Sequence, residues 1–528
     1  MRRTGGTMRL HDSLDYWARE QPDAEFAVQG ARRLTYREAV GAANRLANAF
    51  VAAGLEPGAR VALLAKNSIE HALLYYAASK AGAALVPLNF RLAPPEWAYI
   101  LDDAQPRLLL AAAEFTPALD ALRDRLESVE RFVSLGAERP AGWEDLAALA
   151  AEQPETPPER WVSEDADLYQ MYTSGTTGQP KGAVLAQRAV AENTLQIGLG
   201  IQTRPGERSL VVAPLFHAAA VPAAFAPIAQ GGAIYVMESF NPPEVVRALS
   251  EERIGYAVLV PSMLQACLVH APDVAERRYP TLRLIHYGSS PIAEQTLRRA
   301  MQVFGCEFVQ SYGMTEATQL LTFLPPADHH RALAGQPGLL LSAGRAAVGT
   351  ELRIVDADDT PLPPGAQGEI VARGPQLMRG YWNRPRETEE TLRGGWLHTG
   401  DVGVLDADGY LYVQDRLKDM IVSGGENVYP SGVENVLYEH PAVADAAVIG
   451  VPDERWGETV KAVVVLRAGA RATAEELIEF CRGKLAGFER PRSVDFVESL
   501  PRTASGKVLK RALRERYWAG QQRRVGGA

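Results

Sequence analysis

Cysteine is scarce in this sequence. The chain of 528 residues contains three, and Cys267, Cys306 and Cys481 lie far apart without the spacing of a metal site. A disulfide framework needs a larger, even set of cysteines, so this distribution favours buried, reduced thiols. Reduced thiols are typical of the cytoplasm, where we expect the protein to be located.

Three other features are lacking. No apolar run reaches the roughly 20 residues that a transmembrane helix needs, and no apolar segment follows the basic N-terminus as it would in a secretory signal. The net charge of −9 is spread along the chain, and no basic stripe marks a nucleic-acid surface. We therefore expect no transmembrane segment and no nucleic-acid partner. The length predicts at least two domains, and the oligomeric state stays open, with a homodimer as one option.

Lysine is also rare, since eight of the 55 basic residues are lysines. Where a positive charge serves only solubility, this chain generally uses arginine. Lys181, Lys418 and Lys507 nevertheless each lie in a loop rich in glycine or in polar and charged residues. We predict that these three compact ammonium groups are functional. Lys510, in contrast, is interpreted as a solvated surface residue.

The sequence does contain a repeated alternation of strand-length apolar segments with helical segments. RVALLAKN, ALVPLN, SLVVAP, AIYVM, YAVLV, LRLIHY and CEFVQ are strand candidates, and helical patterns lie between most of them. This alternation predicts an α/β fold whose large N-terminal domain consists of doubly wound βα sheets. Ligands of such sheets bind at the carboxyl ends of the strands, where loops 288–291 and 311–316 are expected here.

The composition changes near residue 350. Short strand candidates separated by Gly, Pro and Asp turns predict an antiparallel, β-rich subdomain that continues to Arg416. A compact α+β segment follows, in which Thr473 and Glu476 form a capping box before the predicted helix AEELIEFCRGKLAG. We place the boundary at residues 416–419. This division gives an N-terminal domain of residues 1–417 and a smaller C-terminal domain of residues 418–528.

The stretch YTSGTTGQPKG, residues 172–182, combines hydroxyl side chains, glycines and a lysine without hydrophobic periodicity. Backbone N–H groups, hydroxyls and an ammonium at close range are suited to a phosphate chain. A flexible surface linker is the alternative, but the apolar residues on either side disfavour it. A P-loop kinase or ATPase is also disfavoured, because the Gly-Lys-Ser/Thr of that motif is missing.

This stretch and four others resemble the motif series of the adenylate-forming superfamily, most closely that of the fatty-acid and aryl-acid CoA ligases. The other four are QSYGMTE, GWLHTGD, VQDRLKDMIVSGGENVYP and PRTASGK. The resemblance implies an AMP-binding (adenylation) domain with an acyl pocket, and a mobile C-terminal domain that carries the catalytic lysine. It also implies the reaction: a carboxylic acid and ATP form acyl-adenylate and pyrophosphate, and the acyl group is then transferred to coenzyme A, with Mg²⁺ as the metal.

The resemblance assigns residues to the first step. Lys507, Thr176, Glu316 and His217 take catalytic or gating roles, and Glu316 holds Mg²⁺. The residues implied to bind the phosphates are Thr173, Ser174, Gly175, Thr176, Thr177, Gly178 and Lys181. The residues implied to bind the nucleoside are Gly288, Ser289, Ser290, Pro291, Ser311, Tyr312, Gly313, Met314, Thr315, Asp401 and Arg416. In this assignment Asp401 and Arg416 lie at the ribose, and Tyr312 stacks on adenine.

For the second step the resemblance implies that the C-terminal domain turns about a hinge at Lys418. Gly424, Gly425 and Glu426 would then line the pantetheine tunnel, and glycine lets a slender chain pass close to the backbone. Phe488 and Arg490 resemble the positions that meet the adenine and phosphates of CoA.

The identity of the acid is less constrained. His217 resembles the gate of an acyl pocket and is followed by small residues at 218–220, although a core histidine is the alternative. No acidic residue is present there to hold an amino group, which disfavours amino-acid adenylation. A medium- or long-chain fatty acid is our first expectation, and an aryl or alicyclic acid is the second. An acyl-AMP ligase that loads an acyl carrier protein, and a nucleotide-binding protein without catalysis, remain as alternatives.

Overall fold

The predicted alternation of strands and helices is present in the computed structural model of the chain. The structure describes residues 8–136, 138–173, 179–218, 221–290, 292, 294–416, 419–424, 426–453, 455–502 and 508–518.

The described strands fall into four sheets. Those up to residue 260 are β1 (Glu25–Gln29), β2 (Arg32–Thr35), β3 (Arg60–Leu64), β4 (Ala84–Pro87), β5 (Leu108–Ala112), β6 (Arg131–Leu135), β7 (Glu144–Asp145), β8 (Asp167–Thr173), β9 (Lys181–Ala186), β10 (Arg208–Val211), β11 (Ala233–Val236) and β12 (Ile254–Val258). Those that follow are β13 (Leu284–Gly288), β14 (Glu307–Tyr312), β15 (Thr322–Leu324), β16 (Arg345–Ala346), β17 (Glu351–Val355), β18 (Gln367–Arg373), β19 (Gly380–Tyr381), β20 (Leu397–Leu405), β21 (Leu411–Arg416), β22 (Ile421–Ser423), β23 (Glu426–Val428), β24 (Val443–Asp453), β25 (Gly457–Leu466) and β26 (Ser493–Phe496).

Helices connect most of these strands. The described α-helices are α1 (Leu10–Glu20), α2 (Tyr36–Ala52), α3 (Ile69–Ala81), α4 (Pro94–Ala104), α5 (Thr116–Asp120), α6 (Leu146–Ala151), α7 (Gln187–Ile201), α8 (Val221–Ala229), α9 (Pro242–Glu251), α10 (Pro261–His270), α11 (Glu294–Phe304), α12 (Pro326–Leu333), α13 (Pro385–Thr391), α14 (Pro430–Tyr438), α15 (Ala474–Phe480) and α16 (Lys510–Glu515).

The two large sheets have parallel centres. The nine-stranded sheet has the order β16-β15-β14-β13-β12-β10-β11-β1-β2, and its pairs from β14 to β1 are parallel. The eight-stranded sheet has the order β19-β9-β8-β4-β3-β5-β6-β7, and its pairs from β8 to β7 are parallel. Strands β3, β10, β12 and β13 are buried along their whole length, as expected when helices cover both faces of a sheet. The α/β prediction is confirmed.

The remaining two sheets are mainly antiparallel. Strands β17-β18-β20-β21 form a four-stranded antiparallel sheet, as the change in composition near residue 350 predicted. The last sheet contains β23-β22-β25-β24, with β26 beside β25. Together with α14, α15 and α16 it forms the smaller C-terminal domain, whose apolar residues cluster separately from the large cores.

The predicted helix AEELIEFCRGKLAG is shorter in the structure. Thr473 accepts a hydrogen bond from the backbone N–H of Glu476, so the predicted capping box starts α15, but the helix already ends at Phe480. Gly483 has φ of 76° in the turn that follows. Glycine adopts this left-handed conformation easily and commonly ends a helix, so the apolar residues beyond it continue in turns.

Lys510 differs most from its prediction, because it is buried rather than solvated. Its Nζ lies 3.0 Å from Glu434 Oε1 on α14 and 3.7 Å from Asp415 Oδ2 on β21. Burial alone would lower the pKa of Lys510, but the carboxylates of Glu434, Asp415 and Asp419 outweigh it and raise the pKa. Lys510 therefore connects two helices of the C-terminal domain to the last strand of the four-stranded sheet.

Two expectations about composition can be compared with the fold. Cys267 and Cys481 are buried and Cys306 is half-buried, all as free thiols. Burial raises the pKa of Cys267 to about 12, which keeps that thiol protonated and unreactive. Within the described ranges, every helix is too short or too polar to cross a membrane.

Candidate active site

The carboxyl ends of β13 and β14 lie side by side, with Gly288 opposite Ser311. A Cβ on Gly288 would be 2.3 Å from the Ser311 carbonyl oxygen, and one on Gly313 would be 1.9 Å from the Gln319 carbonyl oxygen. Only glycine therefore fits at these two positions. Ser289 has φ of 69°, which is uncommon for a residue with a side chain. The two predicted nucleotide loops thus form tight turns at one edge of the sheet.

A buried polar network lies below these loops. The His286 ring is 2.8 Å from the Tyr256 hydroxyl at Nδ1 and 2.7 Å from Ser311 Oγ at Nε2. Gln319 Nε2 donates a second hydrogen bond to Ser311 Oγ, at 2.9 Å. Burial lowers the pKa of His286 to about 3, so the ring is neutral near pH 7. Sequence reasoning missed this network, because His286 occurs in an otherwise apolar strand without a motif.

Three predicted nucleoside residues meet although they come from separate segments. The Tyr312 hydroxyl donates to Asp401 Oδ2 at 2.7 Å, and Arg416 Nε lies 3.4 Å from Asp401 Oδ1. Asp401 and Arg416 are register partners on β20 and β21. A carboxylate has about four acceptor positions, so Asp401 can still accept further donors such as a pair of neighbouring hydroxyls.

The electrostatics of this group favour a charged Arg416. Burial alone would lower the pKa of Arg416, but the Asp401, Asp419 and Glu316 carboxylates outweigh it and raise the pKa. Burial, reinforced by Asp401, raises the pKa of Tyr312 well above its usual value. The tyrosine therefore remains a neutral donor beside a cation and a carboxylate.

Glu316 connects this group to the predicted phosphate loop. Its carboxylate is buried, with 6% of the residue exposed, and Oε1 accepts a hydrogen bond from the Tyr381 hydroxyl at 2.8 Å. Lys181 Nζ lies 5.2 Å from the centre of the Tyr381 ring. Burial and Glu316 together raise the pKa of Tyr381, which keeps it a donor. Tyr381 was not predicted from the sequence.

The surroundings of Glu316 fit the expected Mg²⁺. Glu316 Oε2 makes no hydrogen bond to a residue that the structure describes, so it remains available as a ligand. Among the described residues, no group of three or more His, Cys, Asp or Glu side chains could hold a metal alone. Mg²⁺ commonly binds through one or two carboxylates together with substrate phosphates and water. A single carboxylate beside a phosphate site therefore suffices.

Helix α4 supports both arms of the phosphate loop, and the sequence did not reveal this. The Tyr172 hydroxyl, near the end of β8, donates to Asp103 Oδ2 at 2.7 Å. The Tyr99 hydroxyl donates to the carbonyl of Pro180, the residue before β9, at 3.1 Å. Strands β8 and β9 flank the loop and pair antiparallel, with Thr173 opposite Lys181. The ends of the loop are therefore fixed from two sides.

The proposed acyl gate, His217, follows strand β10. His217 is half-buried, which disfavours the alternative of a core histidine, and its backbone N–H donates to the Pro214 carbonyl at 3.1 Å. Its neighbours Phe216 and Ala218 are buried, with 7% and 3% exposed. Phe216 contacts Phe90 edge to face at 5.4 Å. The residues on either side of His217 in the chain are thus apolar and buried.

The predicted CoA residues lie in two segments of the C-terminal domain. Gly424 has φ of 64°, and a Cβ there would be 2.5 Å from the Trp456 ring, so packing explains this glycine. Glu426 starts β23 and is exposed. Phe488 is 37% exposed and Arg490 is half-buried. Trp456, which the sequence did not single out, also lies under the Arg492 guanidinium at 5.7 Å and brings the two segments together.

The remaining predicted residues lie in the two nucleotide loops or outside the described residues. Ser290, Met314 and Thr315 are half-buried in the two nucleotide loops. The predicted residues outside the described ranges are Ser174, Gly175, Thr176, Thr177, Gly178, Pro291, Lys418, Gly425 and Lys507.

Comparisons with known proteins show which families this chain resembles. A family model described as AMP-binding enzyme matches residues 14–382, and one described as AMP-binding enzyme C-terminal domain matches residues 432–507. Feruloyl-CoA synthase from an Amycolatopsis species is 42% identical over 501 residues, which cover 95% of this chain and 97% of the relative. A fatty acid–[acyl-carrier-protein] ligase from Streptomyces coeruleorubidus is 39% identical over 523 residues, with 98% of each chain covered.

Solved structures give the same result. The fatty acyl CoA synthetase of Mycobacterium tuberculosis is 35% identical, has a TM-score of 0.76, and covers 97% of this chain and 99% of its own. An anthranilate CoA ligase in complex with anthranoyl-AMP is 27% identical and has a TM-score of 0.88, with 97% of both chains covered.

Proposed function

This chain belongs to the AMP-binding enzyme family, and from that premise we propose that it is an AMP-forming acid:CoA ligase. It joins a carboxylic acid to the α-phosphate of ATP, releases pyrophosphate, and then transfers the acyl group from AMP to the thiol of coenzyme A. The structure supports the residues assigned to the nucleotide best, those assigned to the phosphates next, and those assigned to the acid least.

One observation carries the proposal. Tyr312, at the carboxyl end of parallel strand β14, forms a single group with Asp401 and Arg416 of the four-stranded sheet, and ligands of open α/β sheets bind at such strand ends. Asp401 accepts the ribose hydroxyls, Arg416 supplies a fixed positive charge, and the Tyr312 ring offers a face to the adenine. Such a group is suited to a nucleoside and not to a phosphate alone.

The phosphates are neutralised from the opposite side. Lys181 contributes an ammonium at the start of β9, and Glu316 would hold Mg²⁺. When bound, the metal neutralises phosphate oxygens and helps the leaving group depart. Lys507, assigned by its motif, donates to the α-phosphate and to the acid carboxylate as negative charge develops there. The carboxylate oxygen of the acid then displaces pyrophosphate.

The second step is assigned to another face of the C-terminal domain. We propose residues 1–417 and 418–528 as the two units, with Lys418 as the hinge between them. Gly424, Gly425 and Glu426 then line the path of pantetheine, while Phe488 and Arg490 meet the nucleotide end of CoA. The exposure of Phe488 is compatible with this role.

A medium- or long-chain fatty acid is our first candidate for the acid, because Phe216 and Ala218, which flank His217, are apolar and buried. An aryl acid is the second, and its support is the 42% identity with a feruloyl-CoA synthase. The 39% identity with a fatty acid–[acyl-carrier-protein] ligase keeps a carrier protein as an alternative acceptor.

The test offers ATP and Mg²⁺ with short, medium and long fatty acids, ferulate and other aryl acids. Each acid is paired with CoA or with a phosphopantetheinylated carrier protein. We expect AMP and pyrophosphate in equal amounts, and acyl-CoA with at least one acid. Release of ADP would exclude adenylyl transfer, and acyl transfer to the carrier protein alone would replace CoA as the acceptor.

A variant at Lys507 tests whether this residue acts in the first step. Lys507→Ala should slow acid-dependent exchange of pyrophosphate into ATP by at least about 10²-fold, as expected when one donor to developing charge is removed. Thioester formation from supplied acyl-adenylate should change much less. Equal losses in both steps would show that Lys507 has a structural role.

A further inference from the structure

The backbone of residues 378–382 joins two parts of the candidate site. At one end, the N–H of Met378 donates to the carbonyl of Glu316 at 2.8 Å. At the other end, the N–H of Trp382 donates to the carbonyl of Gly182 on β9, also at 2.8 Å. Strand β19 lies between these two bonds and pairs antiparallel with β9. The segment therefore connects the predicted metal ligand to the strand that begins with the predicted phosphate lysine.

The side chain of Tyr381, in the middle of this segment, contacts both groups. Its hydroxyl donates to Glu316 Oε1 at 2.8 Å, and its ring centre lies 5.2 Å from Lys181 Nζ. In the part of the chain that the structure describes, no carboxylate lies within 4.0 Å of this ammonium. The Glu316 carboxylate and the Lys181 ammonium thus contact the same tyrosine and do not pair with each other.

Two helices hold the backbone around Tyr381. The Tyr381 N–H donates to Thr388 Oγ1 on α13 at 2.8 Å. Arg384, just before α13, donates from Nη2 to the Tyr99 hydroxyl on α4 at 3.1 Å and pairs with Asp103 of the same helix at 3.4 Å. The half-buried ring of Tyr381 therefore extends from a backbone that is fixed on both sides.

We propose that Tyr381 is a positioning residue for the first step: its hydroxyl directs the Glu316 carboxylate, and its ring keeps that carboxylate apart from Lys181. The inference rests on the proposed function, in which Glu316 holds Mg²⁺. The hydroxyl occupies Oε1 and leaves Oε2 as the ligand atom. Hydrogen bonds of this kind orient metal-binding carboxylates and tune their affinity for the metal.

The competing arrangement explains why a tyrosine is suited to this position. A carboxylate and an ammonium attract each other strongly in a partly buried site. If Glu316 paired with Lys181, the carboxylate would be lost to the metal and the ammonium to the phosphates. A neutral phenol binds the carboxylate with its hydroxyl and the cation with its ring face, and it neutralises neither. The hydroxyl and the ring therefore have separable effects.

The experiment uses the full chain, with Mn²⁺ as the probe of the metal site and a non-hydrolysable ATP analogue as the nucleotide. For Tyr381→Phe we expect the Mn²⁺ dissociation constant of the analogue complex, measured by electron paramagnetic resonance, to rise about tenfold. Calorimetry in metal-free buffer should show unchanged binding of the analogue, because the ring remains. Tyr381→Leu removes the ring as well and should weaken this metal-free binding severalfold; unchanged binding would refute the spacing role.

Two controls distinguish positioning from a general structural role. Tyr438→Phe removes a matched hydrogen bond, because the half-buried Tyr438 on α14 donates its hydroxyl to Asp445 Oδ1 at 2.7 Å; it should leave Mn²⁺ and analogue binding unchanged. In a Glu316→Gln background, Tyr381→Phe should add little to the Mn²⁺ dissociation constant, since residues that act through one contact are not additive.

Unchanged Mn²⁺ affinity in folded Tyr381→Phe, or the same loss in the Glu316→Gln background, would overturn the positioning role. These titrations need neither acid nor CoA. An unmodified protein that binds no ATP analogue at all would instead refute the proposed function, so the two failures are distinguishable.

Discussion

Asp401 and Asp415 lie on neighbouring strands of one sheet, and both carboxylates are largely buried, with 11% and 8% of the side chain exposed. Their partners differ. Asp401 meets the ends of two side chains, the Tyr312 hydroxyl and the Arg416 guanidinium. Asp415 instead accepts backbone N–H groups from Arg416 at 2.7 Å and Ser431 at 3.0 Å, and it faces the buried Lys510.

The partners distinguish a site that can receive a ligand from one that is already complete. Side-chain ends such as those around Asp401 can move by rotamer changes, and Arg416 is 41% exposed, so hydroxyl groups can enter. Backbone donors cannot leave Asp415 without unfolding a turn. Ser431 also donates its hydroxyl to the Gln414 carbonyl and closes the group further. Two largely buried acids on neighbouring strands thus differ in whether side-chain ends or backbone N–H groups surround them.

The largest expected effect concerns the group around Asp415. Lys510→Met leaves Asp415 and Glu434 buried without their cation and should lower the free energy of unfolding by about 3–5 kcal/mol, the usual cost of breaking a buried ion pair. Denaturant titration measures this loss. Lys484→Met is the matched control, because Lys484 is 39% exposed and pairs with Glu439 at the surface; its cost should stay below about 1 kcal/mol. Similar losses in both variants would contradict the structural role of Lys510.

The second effect concerns the group around Asp401. Asp401→Asn keeps the shape but removes the charge that accepts the ribose hydroxyls, so the KM for ATP should rise about 10- to 100-fold, which corresponds to about 1.5–3 kcal/mol. The KM for CoA should change little. Steady-state kinetics measures both constants. If Asp401→Asn instead destabilised the fold as much as Lys510→Met, the contrast between the two acids would be wrong.

A smaller effect is expected at the tyrosine. Tyr312→Phe removes one hydrogen bond to Asp401 and keeps the ring, so the KM for ATP should rise by a few-fold, in line with about 1 kcal/mol for one hydrogen bond. The same kinetic assay applies. An effect as large as that of Asp401→Asn would mean that the hydroxyl itself contacts the nucleotide.

The last effect is a pH dependence of stability. Burial raises the pKa of Glu434 and of Asp415, although Lys510 opposes this shift in both. The folded protein therefore binds these protons more tightly than the unfolded chain, in which Glu434 titrates near 4.5. The contribution of Glu434 and Asp415 to the free energy of unfolding is greatest below the pKa values of the unfolded chain. It falls as the pH rises through the raised pKa values of the folded protein, by at most about 1.4 kcal/mol per pH unit for each proton.

The variant Glu434→Gln tests whether the stability falls as the pH rises. Since glutamine does not titrate, the stability of this variant relative to the unmodified protein should increase as the pH rises through the same window. Urea titrations at several pH values give the difference. Parallel stability curves for the two proteins would show that Glu434 has no raised pKa.

Much of the fold was predictable, because its signals are local. Periodic apolar residues, the Thr473 capping box and turn residues act over a few positions, and the structure has that box. The α/β architecture and the antiparallel sheet after residue 350 followed from these patterns. The helix predicted over residues 474–487 is shorter for a local reason as well, because the left-handed Gly483 is incompatible with a continued helix.

The candidate site was predictable to the extent that its residues lie in short motifs. Tyr312, Asp401 and Arg416 were named from the sequence, and the structure brings them together. Tyr381, Asp103 and Arg384 were not named, because each acts through contacts with segments far away in the chain. Tyr381 reaches Glu316, and Arg384 reaches α4.

The sequence by itself determined which segments become strands and helices, which family motifs are present, and which residues of those motifs are suited to a nucleotide. Only the tertiary structure decided which charges are open to a ligand and which are closed by the fold. Lys510 was expected at the surface and is buried between Glu434 and Asp415. The physical reason is that the burial of a charge depends on the distant groups packed around it, whereas secondary structure depends mainly on near neighbours in the chain.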